Sequence, residues 1–283
     1  MTEELPDIGF RRILVALDTS NHSRAALQAA AYLAKLSEAE LRGLYVSDAT
    51  WHQISRLSLI SEVSELTGEP RTFSEEDISR QSKLVENRIR DLLKQVAGTM
   101  EIPHTLDSVQ GSIEDELIKA SEEADLITIG RAGHSHKQES KLGKTARFIV
   151  RRSSKPVLML EHGLSIGGAP VICIYDGTEQ AQRSLELALK IARKSSTRLL
   201  VIGLANQSDS VNNRNKEIEE RVQNASIPVR LHLLKQHNIW NVTRLLNKLY
   251  GSLLVMPKDQ PLIREEWAGK IFHMAKCPLL LIS

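Results

Sequence analysis

Short apolar runs recur along the chain, and amphipathic segments with helical spacing separate them. The first run, residues 13–17, precedes a segment from Ser23 in which Leu27, Ala30 and Ala34 share one helical face. Runs that stay apolar over their whole length fit strands that are buried on both faces of a parallel sheet. Further strands are predicted at residues 41–46, 105–109, 126–129 and 157–160. The alternation predicts a parallel sheet flanked by helices.

The same order of elements then occurs a second time. Residues 171–176 repeat the first strand and its final aspartate, after the glycine-rich stretch 161–169. The other strands of the second copy are predicted at residues 199–204, 229–234, 253–256 and 278–282. We therefore predict an α/β fold of two tandem doubly wound domains, residues 10–161 and 170–283, each with a five-stranded parallel sheet flanked by helices.

Composition narrows the class of protein. The 283 residues carry 37 Lys and Arg against 35 Asp and Glu, and a net charge of +2 gives no reason to expect nucleic acid as a partner. No apolar stretch approaches the roughly 18 residues that span a bilayer, and the first ten residues are acidic rather than basic. Two cysteines fit a reducing compartment. We expect a cytoplasmic protein without membrane insertion.

Three glycines after the 126–129 strand form the main candidate site. Gly130 and Gly133 follow the strand directly, and Gly143 precedes a predicted helix, in the spacing Gly-x2-Gly-x9-Gly. Glycine turns and a helix start both present backbone N–H groups to an anion, so we call residues 130–146 the anion cradle. The spacing excludes a Walker P-loop, whose first glycine would stand at Gln138.

The helix predicted after the cradle is basic. Lys144, Arg147 and Arg151 share one face, and residues 141–155 contain no acidic residue. Such a run is typical of a solvated helix face. Its position beside the glycines also favours contact with phosphate groups, and both interpretations stay open.

Two further features have both a functional and a structural interpretation. Asp18 ends the first strand at the sheet edge where ligands bind in open α/β sheets, but an aspartate there also suits a turn or helix cap. Residues 47–73 are irregular and would form a lid or a partner surface. His134 and His136 lack a nearby third ligand, so we predict no metal site from protein residues.

The second copy departs from the first at the cradle. Its fourth strand leads into Pro257 and Pro261 instead of glycines, and the following helix is about one turn shorter. We expect no phosphate site of the same kind there. No Ser/His/Asp or Cys/His arrangement is marked by a sequence elbow, so no catalytic residue and no enzyme activity are predicted.

These residues resemble the universal stress protein family in a tandem form that covers nearly the whole chain. The resemblance is carried by Asp18, by the spacing of Gly130, Gly133 and Gly143, and by Pro156 at the start of the last strand. It implies a stress-response protein that binds ATP, accompanied by a divalent metal such as Mg²⁺.

The resemblance to ATP-binding members also implies which residues form the site. The implied residues are Ala16, Leu17, Asp18, Val46, Ile129, Gly130, Gly133 and Gly143, with Lys144 and Thr145 at the start of the helix. The chain departs from the family at the two hydroxyl positions after the last glycine, which are Lys144 and Ala146. An ammonium group donates to phosphate, whereas an alanine side chain donates nothing.

Three functions remain open at this stage. The leading one is a nucleotide-responsive stress protein that acts by binding. The second is a scaffold that binds a protein partner of unknown identity through the same fold, and the third is a slow ATP hydrolase. The two apolar last strands predict that the domains pair within one chain, because family members pair through this strand and an apolar edge must be covered. A homodimer of whole chains also stays open.

Overall fold

A computed structural model describes residues 7–48, 61–63, 70–72, 75–131, 142–205, 211–235, 239–259, 271 and 274–283. The strands are β1 (Arg12–Ala16), β2 (Glu40–Asp48), β3 (Ser61–Val63), β4 (Pro70–Thr72), β5 (His104–Gly111), β6 (Leu126–Gly130), β7 (Val157–Leu160), β8 (Val171–Tyr175), β9 (Leu199–Ala205), β10 (Val229–Lys235), β11 (Leu253–Pro257) and β12 (Leu279–Ile282). The helices are α1 (Asn21–Ser37), α2 (Glu75–Thr99), α3 (Ile113–Ser121), α4 (Lys144–Arg152), α5 (Glu179–Lys194), α6 (Val211–Val222) and α7 (Ile239–Leu246).

Ten of these strands form one sheet in the order β10-β9-β8-β11-β12-β7-β6-β1-β2-β5. Five parallel strands come from the first half of the chain and five from the second, in matching order. The remaining two, β3 and β4, pair with each other. The predicted α/β fold with two tandem parallel sheets is therefore confirmed. The boundaries at residues 10–161 and 170–283 stay a prediction.

Helices cover both faces of the sheet and divide the core into two apolar clusters. The first cluster lies under α1, α2, α5 and α6, where Leu27, Leu93, Leu185 and Ile218 are buried. The second lies under α3, α4 and α7. Each cluster contains residues from both halves of the chain. The inner strands β6, β7, β8, β9, β11 and β12 are buried on both faces, which is why they form uninterrupted apolar runs in the sequence, whereas β5 and β10 at the ends of the sheet are partly exposed.

The two halves meet through their last strands. β7 and β12 pair antiparallel, with Leu280 opposite Leu158, and every residue of both strands is buried. Side chains from the second half add contacts at the end of α4: Lys258 donates to the carbonyl of Ser153, and the Ser283 hydroxyl donates to the carbonyl of Lys155 at 3.0 Å. The apolar edge that each half would expose alone is thus covered by the other half.

Local details refine the predicted elements. α1 begins two residues before Ser23 and is capped by Ser20, whose hydroxyl accepts the Ser23 N–H at 3.1 Å. Ser112 stands at the N-cap of α3, but its side chain makes no capping hydrogen bond. The lid or partner surface predicted at residues 47–73 contains the end of β2 and the β3–β4 pair, and the rest of it lies outside the described residues. In the part of the chain that the structure covers, no helix has the length and apolarity to cross a membrane.

The contact between the halves generates a prediction about stability. Leu158→Ala and Leu280→Ala should each lower the free energy of unfolding by about 2–5 kcal/mol, because both leucines are fully buried. Since the two side chains face each other across the pair, the double variant should differ from the sum by about 0.5–3 kcal/mol. Chemical denaturation of the four proteins gives this coupling.

The control pair is Leu158→Ala with Val201→Ala. Val201 lies on β9, four strands from β7, which is roughly 19 Å at about 4.8 Å per strand. These two losses should add. Additive losses for Leu158 and Leu280 as well would show that β7 and β12 are not in contact in solution.

Candidate functional site

The carboxyl edge of the first half is organised around β1, which lies between β2 and β6. The chain crosses from β1 to β2 on one side and returns through β6 on the other, so the strand order reverses at β1. Ligands in open α/β sheets bind at such a point. The ends of these three strands bring together Asp18, Val46 and Gly130, and α4 starts beside them. The structure thus gathers most of the predicted residues at one edge.

The strand-end residues of this group differ in exposure. Leu17 and Ile129 are buried and belong to opposite clusters of the core. Ala16 and Val46 are partly buried and pack against the second cluster, on the side of α3 and α4. The side chains that line the edge on that side are therefore mostly apolar, as a surface for a flat ring would be.

Asp18 holds the turn between β1 and α1. Its carboxylate accepts the N–H of Ser20 at 2.8 Å, and its own N–H donates to the Ser23 hydroxyl at 2.9 Å. The second half repeats the arrangement, because Asp176 accepts the N–H of Thr178 at 3.0 Å and its hydroxyl at 2.7 Å. The structural alternative for Asp18 is thus observed in both copies, including the copy that lacks the glycines of the cradle.

Gly130 is explained by the approach of α1. A Cβ atom at this position would lie 2.8 Å from the Cβ of His22 and 3.0 Å from its backbone carbonyl carbon. Neither Gly130 nor Gly143 has a positive φ angle. Gly130 therefore does not use the left-handed backbone angles that favour glycine, and it is needed because the first turn of α1 packs directly on β6.

His22 is fixed by the segment after β7. Its Nδ1 accepts the N–H of His162 at 3.0 Å. Burial lowers the pKa of His22 below its ordinary value of 6.5, and the nearby Arg131 charge lowers it further. The ring is therefore neutral at pH 7, which the accepting Nδ1 also requires.

Arg131 occupies the position between the first two cradle glycines. It is only 4% exposed, and its guanidinium donates to Glu161 at 2.5 Å. Its backbone carbonyl accepts the N–H of Gly143 at 2.9 Å. This hydrogen bond brings the residue after β6 next to the residue before α4. The Gly143 N–H is consequently engaged and does not face a ligand.

The middle of the cradle falls outside the described residues. Gly133, His134 and His136 all lie in the stretch 132–141. Among the residues that the structure describes, no cluster of three or more His, Cys, Asp or Glu side chains is arranged to hold a metal ion.

The start of α4 carries a positively charged side chain, that of Lys144. Gly143 is the N-cap without a side-chain hydrogen bond, and the first helical bond runs from the Arg147 N–H to the Gly143 carbonyl at 3.0 Å. The N–H groups of residues 144–146 therefore precede the first helical bond. Lys144 is 81% exposed, and Arg147 and Arg151 are exposed on the same face. This is the solvated basic face that the sequence pattern suggested.

Glu114 at the start of α3 faces these residues. Its Oε1 lies 3.3 Å from the Lys144 ammonium and 3.5 Å from the Thr145 hydroxyl, and its side chain is only 15% exposed. A carboxylate of the protein therefore lies where the sequence predicted phosphate groups.

The corresponding edge of the second half has a different structure. Tyr175, at the end of β8, is buried; its hydroxyl donates to Glu217, and Arg214 lies 5.8 Å from its ring. Burial and the Glu217 hydrogen bond raise the pKa of Tyr175. Gly177 leaves room for the Arg214 guanidinium, which a Cβ would overlap. The polar groups at this edge thus contact one another.

Both cysteines are buried and free. Burial raises the pKa of Cys277 to about 12 and that of Cys173 further. Neither is a reactive thiolate at neutral pH.

Sequence reasoning missed three residues of the site, His22, Glu114 and Arg131. Only Arg131 had a signal: Arg131 and Glu161 directly follow neighbouring strands, so opposite charges at adjacent strand ends predict their ion pair. Glu114 and His22 had none, because their contacts depend on how closely helices approach the edge.

The packing of Gly130 generates a prediction. Gly130→Ala should lower the free energy of unfolding of the ligand-free protein by about 1–3 kcal/mol, because the methyl group meets backbone as well as side chain. Thermal or chemical denaturation measures it. Gly98→Ala is the matched control: nothing lies within 4 Å of a Cβ there, so it should be neutral or stabilise α2 by up to about 1 kcal/mol. Unchanged stability in Gly130→Ala would mean that the glycine serves a ligand and not the fold.

Comparison with known proteins relates this fold and edge to one family. Residues 9–161, more than half of the chain, match the family described as "Universal stress protein family". The chain is 30% identical over 153 residues to the universal stress protein YxiE of Bacillus subtilis, which covers 53% of this chain and 99% of that protein.

Solved structures show that the fold extends over both halves. A universal stress protein from Archaeoglobus fulgidus matches with a TM-score of 0.72 at 18% identity, over 96% of this chain and 98% of that one. A protein of unknown function from Pseudomonas aeruginosa matches with a TM-score of 0.63 at 14% identity, over 97% and 93%. The chain belongs to the universal stress protein family.

Proposed function

We propose that the first half binds a nucleotide, with ATP as the leading candidate, and that the protein acts in a stress response through this binding. The observation that carries the proposal is the reversal of strand order at β1, which brings an apolar strand-end surface and the start of α4 to one edge. A helix start favours anions, and the apolar surface beside it suits a base.

The roles of the residues follow from their places at this edge. Ala16, Val46 and the strand end at Ile129 contribute apolar surface for the base, and Leu17 and Asp18 hold the turn beside it. In this proposal the N–H groups at the start of α4 and the Lys144 ammonium bind the phosphate groups. The family resemblance assigns the same role to Gly133, which lies outside the described residues. A divalent metal such as Mg²⁺ would enter with the phosphates, which supply the oxygen ligands it prefers. A reducing compartment such as the cytoplasm suits the two buried free thiols.

The contacts of the carboxylates at this edge favour nucleotide binding without hydrolysis. Hydrolysis needs a group that positions a water molecule. Of the described carboxylates at this edge, Asp18 is engaged in the turn, Glu161 pairs with Arg131, and Glu114 contacts Lys144 in the ligand-free protein. A slow ATP hydrolase is therefore the weaker proposal.

A scaffold that binds a partner protein is the second candidate. It is favoured by the packing reason for Gly130, by the engaged N–H of Gly143 and by the carboxylate of Glu114 at the cradle. Under this proposal the cradle is a part of the fold and has no ligand.

Small molecules released from the protein decide between the two candidates. The freshly purified whole chain is denatured, and the supernatant is separated by ion-pairing chromatography with mass detection. Adenine nucleotides near one equivalent per chain are expected. If none is released and calorimetry shows no binding of ATP with or without Mg²⁺, the scaffold is the correct candidate.

Lys144 provides a variant test of the site. Lys144→Ala should weaken ATP binding by roughly ten- to a hundredfold, since hydrogen bonds to charged groups contribute about 1.5–3 kcal/mol and 1.4 kcal/mol is a factor of ten. The melting temperature of the ligand-free protein should hardly change, because Lys144 is exposed and surface ion pairs contribute little.

Arg147→Ala is the matched control for Lys144→Ala. It removes the same charge from the same face of α4, one turn further from the helix start. Calorimetry should give it nearly the parent affinity. Equal losses in the two variants would indicate a general field effect, and no loss in either would exclude Lys144 from the site.

A further inference from the structure

Two helix starts face each other at the candidate site, and their charges are opposite. The first turn of α3 contains Glu114, Asp115 and Glu116, whereas that of α4 contains Lys144 and no acidic residue. Within this group Glu114 is the residue that reaches across to α4, through one carboxylate oxygen shared by the Lys144 ammonium and the Thr145 hydroxyl. The acidic and basic starts are thus joined at a single atom.

The Glu114 carboxylate lies in a position that would also suit a phosphate group. Ionised carboxylates and phosphates are both acceptors, and both are stabilised at the positive end of a helix. Glu114 is largely buried, whereas Lys144 is largely exposed. A phosphate group that used Lys144 and Thr145 would need the donors that Glu114 now contacts.

We propose that Glu114 is an internal competitor of the ligand, whose carboxylate is displaced from Lys144 and Thr145 when phosphate groups bind. The inference rests on the proposed nucleotide site and adds its regulation: the affinity of the start of α4 for phosphate groups is set by a carboxylate on α3. Removing the negative charge of Glu114 should therefore tighten the binding of phosphate-bearing ligands, and only of those.

The test compares three variants by calorimetry on the whole chain. Glu114→Gln keeps the shape of the side chain and removes its charge, and it should bind ATP about tenfold more tightly than the parent, which is about 1.4 kcal/mol. Glu114→Ala should also tighten binding. Because alanine has no hydrogen-bonding group, this variant shows that the tightening does not come from a new hydrogen bond between the glutamine and the ligand. Asp115→Asn removes the same charge from the neighbouring exposed position, and its affinity should stay within about threefold of the parent.

A second ligand separates the phosphate contribution from the base. Adenosine has no phosphate group, so its affinity should be the same in the parent and in Glu114→Gln. Inorganic triphosphate should follow ATP and bind the variant more tightly. Thermal melts of all variants establish that each is folded before its affinity is compared.

The outcomes separate this inference from the proposed function. If the parent binds ATP and Glu114→Gln binds it equally or more weakly, the competitor role is wrong while the nucleotide site stands. Equal tightening in Asp115→Asn would also overturn it, because the effect would then be one of net charge. If neither the parent nor either Glu114 variant binds ATP, the proposed function fails and this inference with it. ATP binding that appears only in the variants would support the competitor in its strongest form.

Discussion

The antiparallel contact between β7 and β12 is the constraint on which the arrangement of the chain depends. Both strands are entirely apolar, and an uncovered apolar edge invites association with other chains. Pairing them makes one sheet out of two, so that each face of the sheet carries a core cluster with residues from both halves. The helices, and with them the carboxyl edge, take their positions on that shared sheet.

The two copies share one sheet but differ at their carboxyl edges. The first keeps an apolar strand-end surface and a basic helix start. In the second, the corresponding edge contains the buried contacts among Tyr175, Arg214 and Glu217. Both copies keep the aspartate that closes the turn after the first strand. The feature that the copies share therefore belongs to the fold, and the features that differ are where function is to be sought.

The fold could be predicted from the sequence because most strands of its sheet are buried on both faces. The runs at residues 126–129, 157–160 and 253–256 contain only apolar or small residues, and each predicted strand lies within one residue of the observed one. The contacts of the candidate site could be predicted less well. The neighbour that explains Gly130 is His22, which is distant in sequence, and the contact of Glu114 with Lys144 joins the starts of two helices. The spacing of residues along the chain predicts helices and strands. These contacts instead depend on how closely packed elements approach each other, which the spacing does not predict.

The residues that directly follow β6 and β11 show that two different halves in one chain can make unequal contacts. Arg131 and Lys258 hold equivalent places, and the backbone N–H of each donates to the end of its neighbouring strand, at 2.6 and 2.8 Å. Their side chains diverge: Arg131 stays within its own half with Glu161, while Lys258 crosses to the carbonyl end of α4. In a dimer of identical chains with twofold symmetry, every such crossing contact would occur twice. A single chain with two unequal copies escapes this rule, so one copy holds the far end of the helix whose near end belongs to the candidate site.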